Sequence, residues 1–289
     1  MRLAFLFICV MCCISCKQKK HAKHFESSKI NTQPKAKTDA TIKKTDSIFQ
    51  NALKKALSIA KASKKENFRK NFSIGNENLN NKVDVELKFG NLFSRKYKNL
   101  LIVSSSKLYT KINVYAVRDT GFTQLIDKIL MTDSHPGYLI EDVNNDGLKD
   151  LSINWYPLSG CCRRNIFDLY LSKNDETFSK EIELVNPTFF PKEKVIRGIT
   201  YGHPGLASLY KFRWNGINVD TIEYIYPNIN DTLHISFVKS NSQAYSRLRN
   251  KWSENLKSIP KEYNPVLDLD YFKSYNLKDI KVILKNIDK

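Results

Sequence analysis

The sequence lacks most of the residue patterns that define common enzymes. None of the motifs GxSxG, HExxH, GxGxxG or the phosphate-binding Walker loop occurs. After residue 16 no apolar run approaches the ~20 residues that a membrane-spanning helix requires. We therefore predict that this chain is not an enzyme and that it acts by binding, with an enzyme acting on envelope polymers as a distant alternative.

Cysteine is also scarce outside the N-terminus. Four of the six cysteines lie within the first sixteen residues, so only Cys161 and Cys162 remain for a folded domain. These neighbours either stay reduced or bond to each other, and an oxidising compartment favours the bond. With no CxxC spacing and no nearby histidine, we expect a rigid turn in preference to a redox role.

The first sixteen residues have the features of a secretory signal. Arg2 is followed by an apolar stretch from Leu3 to Ile14 and by the small residue Ser15, just before Cys16. The stretch resembles the lipobox of bacterial lipoproteins, although Cys13 stands where leucine is usual. The resemblance implies a signal peptide over residues 1–15 and a lipid attached to Cys16. A plain signal peptide or a single anchor is the alternative.

The formal net charge of +18 is concentrated near the N-terminus, where residues 17–72 hold sixteen Lys and Arg against four acids. We predict that residues 16–45 form a basic, disordered tether that lies against anionic lipid head groups. It lacks the interleaved aromatic residues of single-strand nucleic-acid binders, so we expect no nucleic-acid partner. Lys-Gln-Lys-Lys follows Cys16, whereas some surface-exported lipoproteins carry an acidic patch there. The predicted location is the bacterial envelope, in the periplasm-facing outer membrane.

Residues 46–70 have the spacing of one amphipathic helix. Phe49, Leu53, Leu57 and Ala60 fall on one stripe, with Ala52 and Ala56 beside it. We expect this helix to pack on the domain or to serve as a stalk, with partner binding as the alternative.

From residue 83 the sequence changes to short runs rich in Val, Ile, Tyr and Phe, separated by polar turns. Twelve such runs predict a mainly β domain over residues 83–240, built as an antiparallel sandwich, barrel or propeller-like sheet. Residues 241–289 are predicted to form a C-terminal helical segment. Its apolar face would comprise Tyr245, Leu248, Trp252, Leu256 and Ile259.

The stretch DVNNDGLKD predicts a metal site. Oxygen-bearing side chains stand at positions one, three, five and nine of the loop, Gly147 occupies the sharp turn at six, and a main-chain carbonyl is available at seven. The predicted ligands of a calcium ion are Asp142, Asn144, Asp146, Leu148 and Asp150. Position twelve is Ile153, where a helical EF-hand has glutamate. The alternative is an acidic hairpin that binds no ion.

The DxNxDGxxD loop leading into a strand resembles the calcium loops of FG-GAP and VCBS-type β repeats. With the runs that follow, residues 83–225 resemble exported β proteins related to bacterial inhibitors of invertebrate-type lysozyme. In that family a Ser-Gly loop enters the lysozyme cleft, and the resemblance assigns this role to Ser159 and Gly160. Cys161, Cys162, Arg163 and Arg164 depart from the family's usual loop residues.

The two arginines still give the loop chemistry of its own, because guanidinium groups pair well with the carboxylates of a hydrolase cleft. The predicted function is binding, and inhibition or neutralisation, of a peptidoglycan hydrolase through residues 157–164. An envelope scaffold or adhesion module that binds a protein or glycan is the alternative. For the loop itself, the alternative is a decorated hairpin tip without a partner.

Overall fold

Antiparallel strands are the main secondary structure of the computed structural model, which describes residues 38–76, 81–158, 164–228, 230–231, 236–243 and 254–274. Helix α1 spans Thr38–Ala62 and helix α2 spans Leu269–Lys273. The strands are β1 (Phe68–Ile74), β2 (Val83–Gly90), β3 (Asn99–Ser105), β4 (Tyr109–Arg118), β5 (Gly121–Met131), β6 (Gly137–Glu141), β7 (Asp150–Trp155), β8 (Ile166–Tyr170), β9 (Ile182–Val185), β10 (Pro187–Phe190), β11 (Val195–Ile199), β12 (Leu209–Asn215), β13 (Asn218–Pro227), β14 (Phe237–Ser240) and β15 (Glu254–Leu256). The prediction of a mainly β, antiparallel fold with flanking helices is confirmed.

The strands form three sheets that follow one another along the chain. Sheet I contains β1–β5, sheet II contains β6–β9 and sheet III contains β10–β15. Within each sheet, consecutive strands are hydrogen-bonded neighbours, so each sheet is an up-and-down meander. Of the predicted architectures, the arrangement is consistent with a sandwich-like packing of sheets.

Four apolar clusters show how the layers stack. Helix α1 packs on one face of sheet I, and the other face of sheet I packs on sheet II. Sheet II packs in turn on sheet III, whose outer face is covered by residues 256–272 of the C-terminal segment. Sheet II is therefore the middle layer, with a sheet on each side.

Strand β3 shows why this sequence suits an inner layer. Side chains alternate between the two faces of a strand. Leu100 and Ile102 pack against α1, whereas Leu101 faces sheet II, and all three are almost fully buried. A strand that is buried on both faces has consecutive apolar residues, and in β3 these are the LLIV stretch of the sequence.

The predicted N-terminal elements need two corrections. Residues 38–45, assigned to the disordered tether, belong to α1, and the helix ends at Ala62 instead of continuing to residue 70. Phe68–Ile74 is instead the edge strand β1, which pairs with β2 in register from Phe68↔Phe89 to Ile74↔Val83. Phe68, Phe72 and Ile74 are separated by even numbers of residues and pack towards α1 from one face of β1. Pairing with β2 therefore decides the conformation of this segment over its local helical pattern.

The predicted C-terminal helix is wrong over Glu254–Leu256. These residues form strand β15 and pair with β14, where Lys239 lies opposite Glu254 and makes an ion pair with it. Leu256 and Ile259 nevertheless pack against the core, as their position on the predicted apolar face required. Tyr245, Leu248 and Trp252 lie outside the described residues.

Candidate functional site at the two ends of the middle sheet

The acidic loop between β6 and β7 folds around its own carboxylates. The Asp142 carboxylate accepts hydrogen bonds from the backbone N–H groups of Asp146 (3.1 Å) and Gly147 (2.9 Å). Asn145 and Gly147 have left-handed backbones, with φ of 60° and 90°. Glycine adopts this conformation without strain, and asparagine tolerates it better than most residues. The loop is thus a tight turn that draws its short polar side chains together.

Asp150, at the start of β7, is the most buried acid of the loop, with an exposed fraction of 0%. Its two carboxylate oxygens accept hydrogen bonds from the backbone N–H groups of Val143 (3.1 Å) and Ser172 (2.8 Å). Burial raises the pKa of Asp150 to about 7, and the negative charges of Asp146 and Asp142 add to the rise, while the two hydrogen bonds oppose it. Three carboxylates therefore lie close enough to repel one another.

Neighbouring sheets hold this loop from both sides. Trp214 of sheet III donates its indole N–H to the carbonyl of Val143 at 3.1 Å. The backbone N–H of Lys149 donates to the carbonyl of Phe93, in the connection between β2 and β3 of sheet I, at 2.8 Å. The loop between these two contacts is consequently fixed to the core and does not project freely.

The donor set of the loop suits a hard cation such as calcium, because three carboxylates, one amide and a main-chain carbonyl all supply oxygen. Among the residues that the structure describes, however, no group of three or more His, Cys, Asp or Glu side chains has a metal-binding arrangement. The carboxylates instead accept backbone N–H groups. Calcium binding by Asp142, Asn144, Asp146, Leu148 and Asp150 therefore stays a prediction.

The second predicted site is the tip of the β7–β8 hairpin. Ser159, Gly160, Cys161, Cys162 and Arg163 lie outside the described residues, and so does the predicted lipid attachment site Cys16.

Arg164 is described, and its guanidinium group is engaged within the chain. It lies over the ring of Tyr201, 5.1 Å from the centroid, and 3.7 Å from the carboxylate of Glu183. Arg164 thus links the start of β8 to Tyr201, two residues after the end of β11 in sheet III.

The two predicted sites lie on either side of β7 in the sequence. The acidic loop precedes β7 and residues 159–163 come after it, and the six residues of β7 span roughly 17 Å. A cation bound by the loop would therefore not touch a partner bound at the tip.

The residues before the two His-Pro-Gly triplets contact the end of β7 and the start of β8. The backbone N–H of Tyr156 donates to the carbonyl of Ser134 at 2.8 Å, next to the first His-Pro-Gly triplet. Tyr201, which Arg164 covers, precedes the second triplet. Large apolar side chains are also exposed here: 47% of Tyr156, 53% of Leu158 and 44% of Tyr201.

A charged cluster around one buried acid, Asp168, lies between sheets I and II and was not predicted from the sequence. The ammonium group of Lys128, on β5, lies 2.8 Å from the Asp168 carboxylate on β8 and 2.9 Å from that of Glu181. The indole N–H of Trp155 donates to Asp168 at 2.7 Å, and the hydroxyl of Tyr170 donates to Glu181. The only sequence signal is one acid inside the apolar run IFDLYL.

The charge state of this cluster follows from its burial. Desolvation raises the pKa of Asp168, since the hydrogen bond and positive charge of Lys128 offset only part of it. Burial lowers the pKa of Lys128, but the hydrogen bonds to Asp168 and Glu181 outweigh that effect and leave its pKa raised. Lys128 is consequently protonated at neutral pH and serves as the counter-ion of the buried acid.

Comparison of the chain with protein-family models, curated proteins and solved structures gave no match. The resemblance to lysozyme inhibitors and to FG-GAP and VCBS-type repeats therefore stays a prediction. Among the described helices, none combines the length and the hydropathy of a membrane span.

Proposed function

We propose that this protein is a lipid-anchored envelope protein that binds a cell-wall hydrolase through the tip of the β7–β8 hairpin and inhibits it. The observation that carries the proposal is the exposure of Tyr156 and Leu158 directly beside the tip. Aromatic residues are enriched among the residues that dominate binding energy at protein interfaces. Arg163 adds a guanidinium group that suits the carboxylates of a glycosidase cleft.

In this proposal calcium acts at the far end of sheet II. Asp142, Asp146 and Asp150 carry three negative charges into one turn, and a divalent cation would offset their mutual repulsion. The ion would brace the loop between sheets I and III without contacting the partner. Its expected effect is on stability and not on the composition of the binding surface.

The proposed lipid anchor would determine where in the cell the protein acts. A lipid on Cys16, followed by the Lys-rich tether, would keep the folded body at a membrane surface in the periplasm, where peptidoglycan hydrolases act. The positive residues after Cys16 support the inward orientation over display at the cell surface.

The test is inhibition of peptidoglycan lysis. A soluble form without the signal peptide and Cys16, residues 17–289, is incubated with muramidases of several classes, and the clearing of a peptidoglycan suspension is followed by turbidity. We expect one class to be inhibited at a stoichiometric ratio of the two proteins. If the folded chain inhibits none, the envelope scaffold or adhesion function, which needs no enzyme target, becomes the better proposal.

A further inference from the structure

The outward side of α1 and the turn that joins it to β1 form a strongly basic surface. Between residues 47 and 74 the sequence contains seven Lys and Arg and only one acid. We call this surface the α1–β1 face, and it comprises Lys54, Lys55, Lys61, Lys64, Lys65, Arg69 and Lys70. It belongs to the folded body, unlike the basic tether.

The helix itself dictates that the positive charge faces outwards. Phe49, Ala52, Ala56 and Ala60 are buried against sheet I, which leaves the lysines on the opposite, exposed side. Lys54 and Lys61 are exposed, and the ammonium group of Lys55 lies 4.9 Å from the centroid of the Phe72 ring.

Nearby acids do little to neutralise the α1–β1 face. Glu66, its single acid, is bound at 2.6 Å by Lys98, which is not one of the seven cations. Glu86 neutralises Arg69 at 2.8 Å, which leaves the six lysines of the face. Within the described residues no ion pair involves Lys65 or Lys70. A surface with this excess charge favours a multivalent anionic partner.

A pocket opens in the same surface, between the end of α1 and the start of β1. Its volume is about 380 Å³. The lining combines an apolar floor with cations, namely Ile59, Ala62, Phe68, Lys65, Arg69 and Lys70. This combination suits a ligand with an anionic group next to an apolar part.

We propose that the α1–β1 face is a second membrane contact, which binds anionic phospholipid head groups and receives a phosphate and the adjoining glycerol region in the pocket between Ile59, Phe68 and Lys70. A phospholipid carries the required anion and apolar part in one molecule, and a bilayer presents many copies to the row of lysines. Only the placement beside a membrane rests on the proposed anchor at Cys16. The lipid contact itself is a property of the folded body.

Two features favour lipid over other polyanions. Phe68 and Phe72 are half-buried against α1, so this face offers no fully exposed aromatic ring on which a nucleic-acid base would stack. An acidic peptide would use the charges but has no need of the apolar floor of the pocket.

The test compares two variants of equal net charge. The soluble form, residues 17–289, is sedimented with vesicles of phosphatidylcholine that contain phosphatidylglycerol, an anionic lipid that gives the vesicle surface a negative potential. Lys65→Gln/Lys70→Gln removes two charges from the α1–β1 face. The control, Lys107→Gln/Lys192→Gln, removes two exposed lysines from other surfaces. Thermal unfolding checks that both variants fold.

We expect the Lys65→Gln/Lys70→Gln variant to bind roughly 25-fold more weakly, because each lysine near an anionic surface contributes about 1 kcal/mol. The control should stay within about twofold of the parent, and 0.5 M salt should release all three forms. Equal losses in the two variants would mean that net charge alone drives binding, and would overturn the proposal. The proposal would also be overturned if the Lys65→Gln/Lys70→Gln variant bound vesicles as tightly as the parent chain but bound poly-glutamate or RNA more weakly than the parent chain.

A second readout uses the anchored protein. Full-length protein in vesicles is treated with an amine-acetylating reagent, and modification of each lysine is followed by mass spectrometry. We expect Lys65 and Lys70 to be protected at least fivefold by phosphatidylglycerol, but not by phosphatidylcholine alone, while Lys107 is unaffected. Failure of the proposed anchor would appear separately, as a chain without lipid on Cys16 in the same spectra. Unchanged acetylation of Lys65 and Lys70 would refute the lipid contact whatever the state of the anchor.

Discussion

Replacing Lys128 by methionine tests how sheets I and II are held together. The Lys128 ammonium group, on β5, lies 2.8 Å from the Asp168 carboxylate on β8, and the Asp168 side chain is only 1% exposed. Methionine has a similar length and no charge, so the variant removes the cation and keeps most of the packing. The hydrogen bond from Trp155 at 2.7 Å would remain.

The expected loss is large because, among the described residues, Lys128 is the cation that pairs with Asp168 and no second one is within ion-pair distance. Within the described residues its Oδ1 atom already has no hydrogen-bond partner. Removing one member of a buried ion pair leaves an uncompensated charge and costs about 3–5 kcal/mol of the free energy of unfolding. That is a sizeable part of the about 5–15 kcal/mol that stabilises an ordinary domain.

The pH dependence of the variant gives a second, independent check. Burial already raises the pKa of Asp168 in the folded state, and loss of Lys128 should raise it further. A carboxyl whose folded pKa exceeds its unfolded value destabilises the fold only when ionised. That destabilisation is full above the folded pKa and vanishes as the pH falls towards the unfolded value, about 3.9. The deficit of Lys128→Met should therefore shrink between pH 7.5 and pH 4.5.

Urea unfolding followed by tryptophan fluorescence measures both effects, with Lys107→Met as the matched control at an exposed lysine. Asp168→Asn in the Lys128→Met background removes the buried charge and should restore most of the lost stability. A Lys128→Met deficit below about 0.5 kcal/mol, or one that is independent of pH, would refute the view that Asp168 is ionised and dependent on Lys128.

Three further predictions test the proposed sites. Calcium should raise the melting temperature of the mature chain, since a ligand of the folded state stabilises it by mass action, and Asp146→Ala should abolish the rise; calorimetry without a calcium-binding signal would remove the metal assignment. Cys16→Ser should release the protein from the membrane fraction in cell fractionation, whereas protease digestion of the protein on whole cells would contradict its inward orientation. Arg163→Glu should abolish capture of the hydrolase in a pull-down without changing the melting temperature, because like charges at an interface cost several kcal/mol. The contrasting variant, Arg164→Glu, should also lower the melting temperature, since Arg164 contacts Tyr201 and Glu183. Equal capture of the hydrolase by all forms would place the contact surface elsewhere.

Local patterns in the sequence determined the strands and the helix stripe. The VDVEL and LLIV runs predict β2 and β3 because side-chain alternation and continuous burial are properties of a short stretch of chain. Phe49, Ala52 and Ala56 predict the buried side of α1 for the same reason, at helical spacing. The DVNNDG stretch predicts a tight turn between two strands, since asparagine and glycine accept the left-handed backbone that it needs.

Only the tertiary structure decided which segments pair as strands and which charged side chains become partners. FRKNFSI becomes strand β1 because β2 is available to pair with it, and ENL becomes β15 because Lys239 and its neighbours on β14 lie alongside. The local propensity of these short segments for helix or strand is weak, so hydrogen bonds to distant parts of the chain determine their conformation. Likewise, Lys128 and Asp168 are forty residues apart in the sequence and become partners only when sheet I packs on sheet II. Burial of Asp168 then makes its ionised form depend on the nearby Lys128 ammonium group, because a charge removed from water needs a counter-ion.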